Sequence, residues 1–283
     1  MTVTYQVTDI FGNTFICNHD PDFDVDDPSE MTYRIQIGST HISPACVTIF
    51  IIQRGKEYTV SVQDFYGDKR CSEEENLPRG QQGTQSMLLC ALQITKAFYL
   101  NAERFEFQDE SRKKDDKGKS FYLSDKYMIT RGKTWYESFL NIIPQTYDQS
   151  HVVYGFRNAV NSTMDMSYYE FMQQVFNNDK TMADKNEILK QVWYDCYKKR
   201  KWYEFIQMIS EERKEYWTKN LKWFIKMLHV SSLSGVMWEG DLSKQDKRLV
   251  RGSMKKLDQV MKFGQTGGGE GIPGEFSFEE TMY

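Results

Sequence analysis

A glycine-containing loop between a predicted strand and a predicted helix is the first place where the residues point to chemistry. Residues 78–84 (PRGQQGT) follow a predicted strand over 58–65 and precede an apolar helix over 87–100. Such a loop presents backbone N–H groups to an anion at the helix N-terminus, where the helix dipole favours negative charge. The alternative is an ordinary strand-to-helix turn in which the Thr84 hydroxyl caps the helix. The candidate anion-binding residues are Arg79, Gly80, Gln81, Gln82, Gly83 and Thr84.

The acidic residues near position 20 and the histidines are the candidates for metal binding. Aspartates alternate at positions 20, 22, 24 and 26, but the glycine and the bidentate glutamate of a calcium loop are missing from their places. We interpret residues 18–30 as a solvated acidic loop. The four histidines are far apart in the chain and form no paired ligand motif. The sequence therefore predicts no metal site.

The five cysteines are scattered, odd in number and never arranged as C-x-x-C. That pattern argues against a disulfide scaffold and against a zinc knuckle. We expect reduced thiols in an intracellular compartment. The cysteines are Cys17, Cys46, Cys71, Cys90 and Cys196.

Length and charge narrow the class of protein. With 283 residues the chain is long enough for one large domain or two small ones. The net charge of -4 gives no general reason to expect nucleic acid as a partner, since nucleic-acid-binding proteins are usually basic on at least one face. The N-terminus is typical of a short strand rather than a signal peptide, and no apolar run is long enough to span a membrane.

The first half is predicted to mix strands and helices. Alternation of polar and apolar residues predicts a strand over 31–37, and the runs 46–53 and 57–65 predict an antiparallel hairpin. A strand over 104–109 follows the helix, so the strand–helix–strand segment predicts a parallel crossover. Residues 110–120 are predicted to form a charged, solvated loop. Ser124 is predicted to cap a short helix that Arg131 and Gly132 end, with extended chain over 133–140.

Beyond Pro144 the apolar pattern changes to the helical period of about 3.6 residues. Helices are predicted over 167–176, 181–201, 202–209, 211–228 and 242–263. The dense aromatic residues of this region are either core packing or a partner-binding face. We interpret the basic run 198–201 as solvated helix surface, with contact to phosphate as the alternative. The interface candidates are Trp202, Phe205, Trp217 and Trp223.

These patterns predict an α+β fold in three parts. Residues 1–143 form a mixed sheet with helices, residues 144–263 form an all-helical domain, and residues 264–283 form a tail. The glycine-rich tail is predicted to have no regular element and to be flexible or bound to a partner.

Three segments carry a resemblance to a known family: residues 83–89 (GTQSMLL), 105–111 (FEFQDES) and 123–137 (LSDKYMITRGKTWYE). Over residues 60–139 the chain resembles the GNAT acetyltransferase fold, and it is most similar to GNAT-like proteins of nucleocytoplasmic large DNA viruses. The resemblance covers roughly a third of the chain. It implies a GNAT-like mixed sheet in the first half and leaves the helical half without a family.

The resemblance implies a site for acetyl-CoA. In GNAT enzymes a loop of the form Arg/Gln-x-x-Gly-x-Gly/Ala donates backbone N–H groups to the pyrophosphate of this cofactor. With Arg79 in the first position, Gln82 and Thr84 replace the two small residues, and their side chains obstruct the approach of the phosphates. Tyr127 or Tyr136 would protonate the departing thiolate, unless both belong to a half-buried aromatic cluster. The strand carboxylates that would deprotonate an amine are Glu57, Asp64 and Glu106, and their spacing selects none of them.

Two functions from different classes follow. In the first, the GNAT-like module is degenerate, needs no cofactor and binds other protein chains, as in a minor capsid protein of a large DNA virus. Such a protein is expected in the virion or in the cytoplasm of the infected host cell. In the alternative, the chain is an acetyl-CoA-dependent N-acetyltransferase. The substitutions at Gln82 and Thr84 favour the first hypothesis.

Overall fold

The computed structural model describes residues 2–8, 14–21, 30–38, 46–65, 81–109, 112–114, 120–176, 186–212, 224–245, 253–257 and 275–277. The chain forms two compact units. Unit 1 consists of residues 1–107 and 239–283, and unit 2 consists of residues 108–238. The boundary expected near Pro144 therefore falls within unit 2. The division into the three parts 1–143, 144–263 and 264–283 stays a prediction.

The strands of the described residues are numbered in chain order. They are β1 (Val3–Thr8), β2 (Thr14–Asp20), β3 (Glu30–Ile37), β4 (Val47–Arg54), β5 (Glu57–Phe65), β6 (Arg104–Gln108), β7 (Arg112–Lys114), β8 (Ser120–Tyr122), β9 (Ile142–Pro144), β10 (Met237–Asp241), β11 (Ser253–Leu257) and β12 (Glu275–Ser277). In unit 1 they follow the order β12-β11-β1-β2-β3-β4-β5-β6-β10. The pairs from β12 to β5 are antiparallel, whereas β5 and β6 are parallel. The sheet is therefore mixed, which confirms the predicted α+β class at this coarse level.

The hairpin and the crossover predicted from the sequence are both present. Strands β4 and β5 pair from Arg54 and Glu57 onward, and Gly55 takes the left-handed φ of 62° that the turn between them requires. Helix α1 (Gln81–Phe98) connects β5 to β6, and these two strands are parallel. Alternating apolar residues at period two, then at the helical period, specify this segment without help from distant residues.

The core of unit 1 lies between the sheet and α1, which packs on β3 and β4. Each strand contributes alternate apolar side chains to this layer, and α1 contributes the face predicted around Met87, Ala91 and Ile94. Burial of such side chains is the main favourable contribution to folding, at about 1.5–3 kcal/mol for each large one. The fully buried strand residues include Val7, Phe15, Ile35, Ile37, Ile49 and Ile51.

Unit 2 is mostly helical in its described residues. Its helices are α2 (Leu123–Arg131), α3 (Tyr147–Asn161), α4 (Tyr168–Phe176), α5 (Asn186–Cys196) and α6 (Trp202–Glu212), followed by helical residues 224–227. Helix α6 packs against α2, α3 and α5. The helices predicted over 167–176 and 202–209 are thus confirmed, and the helix expected to reach residue 201 ends at Cys196.

Two predictions near α2 are wrong. The helix begins at Leu123, and Tyr122 is its N-cap without a side-chain hydrogen bond, so Ser124 lies inside the first turn. Residues 133–140 are not extended, because the Glu137 carboxylate accepts hydrogen bonds from the Thr134 N–H and hydroxyl and so closes a short 3-10 turn. The predicted end of α2 is confirmed, since Gly132 caps it with a left-handed φ of 69°.

The prediction of a helix over residues 242–263 is also wrong. Residues 242–244 form one short 3-10 turn capped by Asp241, and residues 253–257 form β11, which pairs with β1. Pairing with a strand more than two hundred residues away overrides the local helical pattern. The tail predicted to lack regular structure contributes β12, which pairs with β11.

Two predicted loops contain strands. Asn18, His19 and Asp20 belong to β2 rather than to an acidic loop, because their backbone pairs with β1 and β3. Residues 112–114 and 120–122 form the antiparallel ribbon β7–β8 within the segment expected to be a charged loop. Charge patterns describe exposure and do not exclude strands whose backbone is paired. No helix among the described residues has the length and apolar character needed to cross a membrane.

Candidate functional site

The predicted anion cradle is mostly the first turn of a helix. Helix α1 begins at Gln81, so Gln81, Gln82, Gly83 and Thr84 have helical backbone, and Thr84 is not the N-cap. Arg79 and Gly80 lie outside the described residues. The first N–H groups of a helix have no partner within it, so this turn keeps donors for an anion even without a glycine loop.

The strands on either side of α1 add a second feature to this site. Strands β5 and β6 pair between residues Val60–Val62 and Phe105–Phe107, while β5 continues to Phe65. The pairing of β5 with β4 shifts register between Val62 and Asp64, which leaves Gln63 as an extra residue. Since α1 joins two parallel strands, its N-terminus lies near their carboxyl ends, where open α/β sheets bind ligands.

The strand carboxylates are distributed along this sheet. Glu57 is exposed at the first residue of β5, at the end opposite the α1 N-terminus, and so does not reach that site. Glu106 is half-buried in the middle of β6, and Asp64 lies near the carboxyl end of β5. Of the three candidates, Asp64 is the one whose strand position lies at the carboxyl end of β5.

The two candidate acids belong to unit 2, whereas α1 belongs to unit 1. Tyr136 is buried, with its ring centroid 5.0 Å from that of Trp135 and 6.4 Å from that of Phe139. Tyr127 is half-buried, and the Arg131 guanidinium lies 4.6 Å from its ring centroid. The ring contacts of Tyr136 are those of an aromatic cluster, whereas the contact of Tyr127 is with a cation. An acid acting on a thiolate needs an exposed phenol.

The candidate interface aromatics on α6 are core residues in this structure. Trp202 and Phe205 are buried, and both rings contact Trp193 at centroid distances of 5.8 and 5.1 Å. Sequence spacing does not tell an apolar stripe that meets a partner from one that meets its own core, and here the core covers it. Trp217 and Trp223 lie outside the described residues.

The cysteines depart from the expected fully reduced state. Cys46 is disulfide-bonded, while Cys17, Cys90 and Cys196 are free and buried. Burial raises the pKa of the Cys17 thiol to about 12, so this cysteine stays a neutral, apolar core side chain. The disulfide could not be predicted from the spacing of the cysteines, because their separation in the chain does not determine their distance in the fold.

Asp20 and His19, two of the candidates for metal binding, contact other side chains of the protein. Asp20 accepts a hydrogen bond from Arg34 at 2.6 Å. His19 is buried, stacks on Phe98 at 4.5 Å and shares a 2.7 Å hydrogen bond with the Tyr99 hydroxyl. Among the described residues, no group of three or more potential ligands lies close enough to hold a metal ion.

Sequence reasoning missed a buried carboxylate in unit 2. Asp125 on α2 is nearly inaccessible, and its two oxygens accept hydrogen bonds from the Leu233 N–H and the Ser232 hydroxyl, both at 2.7 Å. Burial raises the pKa of this carboxyl, and the two hydrogen bonds offset part of that rise. Its neighbour Ser124 is equally buried, and its hydroxyl has no hydrogen-bond partner among the described residues. No local sequence pattern predicts the contact of Asp125 with Ser232 and Leu233, which are more than one hundred residues away.

An exposed aromatic surface on β9 and α3 was also missed. Ile143, Tyr147 and Tyr154 expose 55%, 77% and 49% of their surfaces. His151 completes the stripe, because its ring lies edge-on to Tyr147 at 4.3 Å and it is exposed. Positions i, i+4 and i+7 share one helix face, opposite the buried Val153, Phe156 and Val160. The spacing of residues 147, 151 and 154 is present in the sequence, although no helix was predicted over residues 145–166. We call Ile143, Tyr147, His151 and Tyr154 the aromatic surface.

Comparison with known proteins gives no relative for this chain. No protein-family model matches it, and neither a curated protein nor a solved structure matches it.

Proposed function

We propose that this chain is a non-catalytic structural and interaction protein. Its first half is a degenerate GNAT-like module, and the chain acts as a capsid-associated virion component of a large DNA virus. The observation that carries the interaction role is the aromatic surface, because large exposed side chains at helical spacing favour contact with another protein. Tyrosine suits such a surface, since it offers a wide apolar ring at a small cost in conformational entropy.

The use of the carboxylates supports a structural role. Several carboxyl groups of the described residues accept hydrogen bonds from the chain's own hydroxyl, guanidinium or backbone N–H groups. These contacts fix strand ends, helix starts and one tertiary contact, as expected of groups that stabilise a fold rather than act on a substrate. Examples are Asp20, Asp125, Glu170 and Asp241.

Crosslinking tests the interaction role. A photoreactive amino acid replaces Tyr147 in the full chain, expressed in infected cells, and a matched chain carries it at Lys56, which is exposed in the β4–β5 turn. We expect position 147 to crosslink to an identified coat protein of purified particles and position 56 to give no such product. Absence of the chain from purified particles, or equal crosslinking from both positions, would contradict the proposal.

One observation favours the second candidate, an acetyl-CoA-dependent N-acetyltransferase. The parallel pair β5–β6, the register shift beside Asp64 and the first turn of α1 together form an end of the sheet suited to a phosphate-containing ligand. The side chains at Gln82 and Thr84, which replace the small residues of the family loop, weigh against it.

Titration calorimetry with acetyl-CoA separates the two functions. The structural proposal expects no detectable heat of binding at millimolar cofactor. Micromolar binding that is abolished by Gly83→Asp, which adds a negative charge at the helix N-terminus, would support the enzyme instead. Asn158→Asp is the control, because it adds the same charge on an exposed part of α3.

A further inference from the structure

Four consecutive cations form an exposed turn between α5 and α6. The sequence predicted them as helix surface, but α5 ends at Cys196 and Lys198 takes a left-handed φ of 56°. A non-glycine residue in this conformation is uncommon and is held there by its surroundings. We call Lys198, Lys199, Arg200 and Lys201 the basic turn, and all four are exposed.

The backbone of the basic turn is fixed by a neighbouring segment. The Lys198 N–H donates to the Met164 carbonyl at 2.7 Å, and the Met164 N–H donates to the Arg200 carbonyl at 3.0 Å. The buried side chains of Cys196 and Trp202 anchor its two ends in the core of unit 2. A surface held in this way loses little conformational entropy when a ligand binds, so it is preorganised.

The side chains of the basic turn lack ion-pair partners among the described residues. None of its four side chains forms an ion pair with a described acid. The ammonium groups of Lys198 and Lys201 instead lie 5.4 and 6.0 Å from the ring centroids of Tyr197 and Tyr203. Like charges this close repel one another, and an anionic ligand relieves that repulsion.

Nearby acids narrow the kind of anion. Asp195 precedes the turn and is exposed, Glu204 accepts a hydrogen bond from the Lys201 N–H, and Asp165 follows the segment that pairs with the turn. Nucleic acid and anionic membranes need a wide, continuous positive surface, which these carboxylates interrupt. A short acidic peptide can place a few carboxylates on the four cations. It does not need to extend over Asp195, Glu204 and Asp165.

We infer that the basic turn is a docking site for a short acidic segment of a partner protein. The inference rests on the proposed interaction function and specifies the chemistry of the partner. Specificity and fast association come from charge complementarity, so binding should weaken as salt rises.

A fluorescent hexaglutamate peptide tests the inference by anisotropy with the full chain, at about 50 and about 200 mM salt. The variant Lys198→Gln/Lys199→Gln should bind about tenfold more weakly than the natural chain. The control variant Lys133→Gln/Lys226→Gln removes the same charge at exposed positions of the same unit and should bind within about twofold of it. Because all four lysines are exposed, unchanged circular dichroism and unfolding midpoints are expected for both variants.

Three outcomes overturn the inference: no saturable binding by the natural chain, equal weakening in both variants, or tighter binding of a uridine oligonucleotide or phosphatidylserine vesicles than of the peptide. The acetyl-CoA titration keeps the two proposals separate. Peptide binding together with micromolar acetyl-CoA binding that Gly83→Asp abolishes would contradict the structural function and keep the docking site. Absence of peptide binding together with a coat-protein crosslink from position 147 would refute the docking site and keep the structural function.

Discussion

At the scale of single residues, buried polar groups fall into two kinds. Some stabilise the fold through hydrogen bonds, and others are buried without a partner among the described residues. Asp125 and Ser124 are neighbours with almost the same burial, but within the described part of the chain only the carboxylate has hydrogen-bond partners. Removal of a satisfied acceptor leaves a buried donor without a partner, whereas removal of an unsatisfied hydroxyl relieves a desolvation cost.

Asp125→Ala is therefore expected to lower the free energy of unfolding by about 1–3 kcal/mol, because the Leu233 N–H loses its acceptor. Ser124→Ala is the matched substitution and should leave stability unchanged or raise it slightly. Chemical denaturation of both variants gives the comparison. A larger loss for Ser124→Ala than for Asp125→Ala would show that the hydrogen bonds to Leu233 and Ser232 do not stabilise unit 2.

His19 should make stability depend on pH. Burial lowers the pKa of this imidazole, and the nearby Asp20 charge opposes that effect only in part. Because the folded pKa lies below the unfolded one, stability is complete above the ordinary value of about 6.5 and falls as pH drops toward the folded pKa. We expect the unfolding midpoint to fall between about pH 7.5 and about pH 5.5, and the fall to be smaller in His19→Gln.

The exposed His151 supplies the control for that measurement. His151→Gln should keep the full pH dependence of the natural chain. If His151→Gln flattens the profile as much as His19→Gln, the buried histidine is not the responsible group.

At the scale of elements, two glycines have opposite roles. Gly132 ends α2 in a left-handed conformation, and a Cβ atom there would lie 3.0 Å from the Asn161 amide nitrogen. Gly155 lies within α3, where a Cβ atom would meet nothing within 4 Å. Gly132→Ala should thus cost about 1–2 kcal/mol, while Gly155→Ala should stabilise the chain by about 0.5–1 kcal/mol.

Thermal unfolding of the two glycine variants measures both effects. Each substitution adds one methyl group, so the contrast depends on the backbone conformation and on the space for the added Cβ atom. Equal shifts in the same direction would mean that the left-handed end of α2 carries no strain for alanine.

At the scale of the whole molecule, β11 and β12 extend the unit 1 sheet beyond β1. Strand β11 covers the hydrogen-bonding edge of β1, where Val7 is fully buried, and β12 pairs with β11 in turn. An uncovered edge strand promotes aggregation.

Truncation after Gln245 should therefore destabilise the chain by about 1–3 kcal/mol or make it aggregate, because β1 loses its neighbour. Truncation after Ser277 keeps both strands and should behave as the complete chain does. Light scattering measures the aggregation of the two truncated chains, and their unfolding midpoints measure the change in stability. A fully stable, monomeric chain ending at Gln245 would contradict the role of β11.

The sequence by itself determined the elements whose pattern is local. The β4–β5 hairpin, the apolar face of α1, the parallel connection to β6 and the Gly132 end of α2 all follow from periodicity or from a single backbone requirement. Only the tertiary structure decided that residues 253–257 form a strand, that Trp202 and Phe205 are buried, and that Asp125 binds Leu233. Each of these depends on residues far away in the chain, and a local pattern carries no information on which distant group arrives beside it.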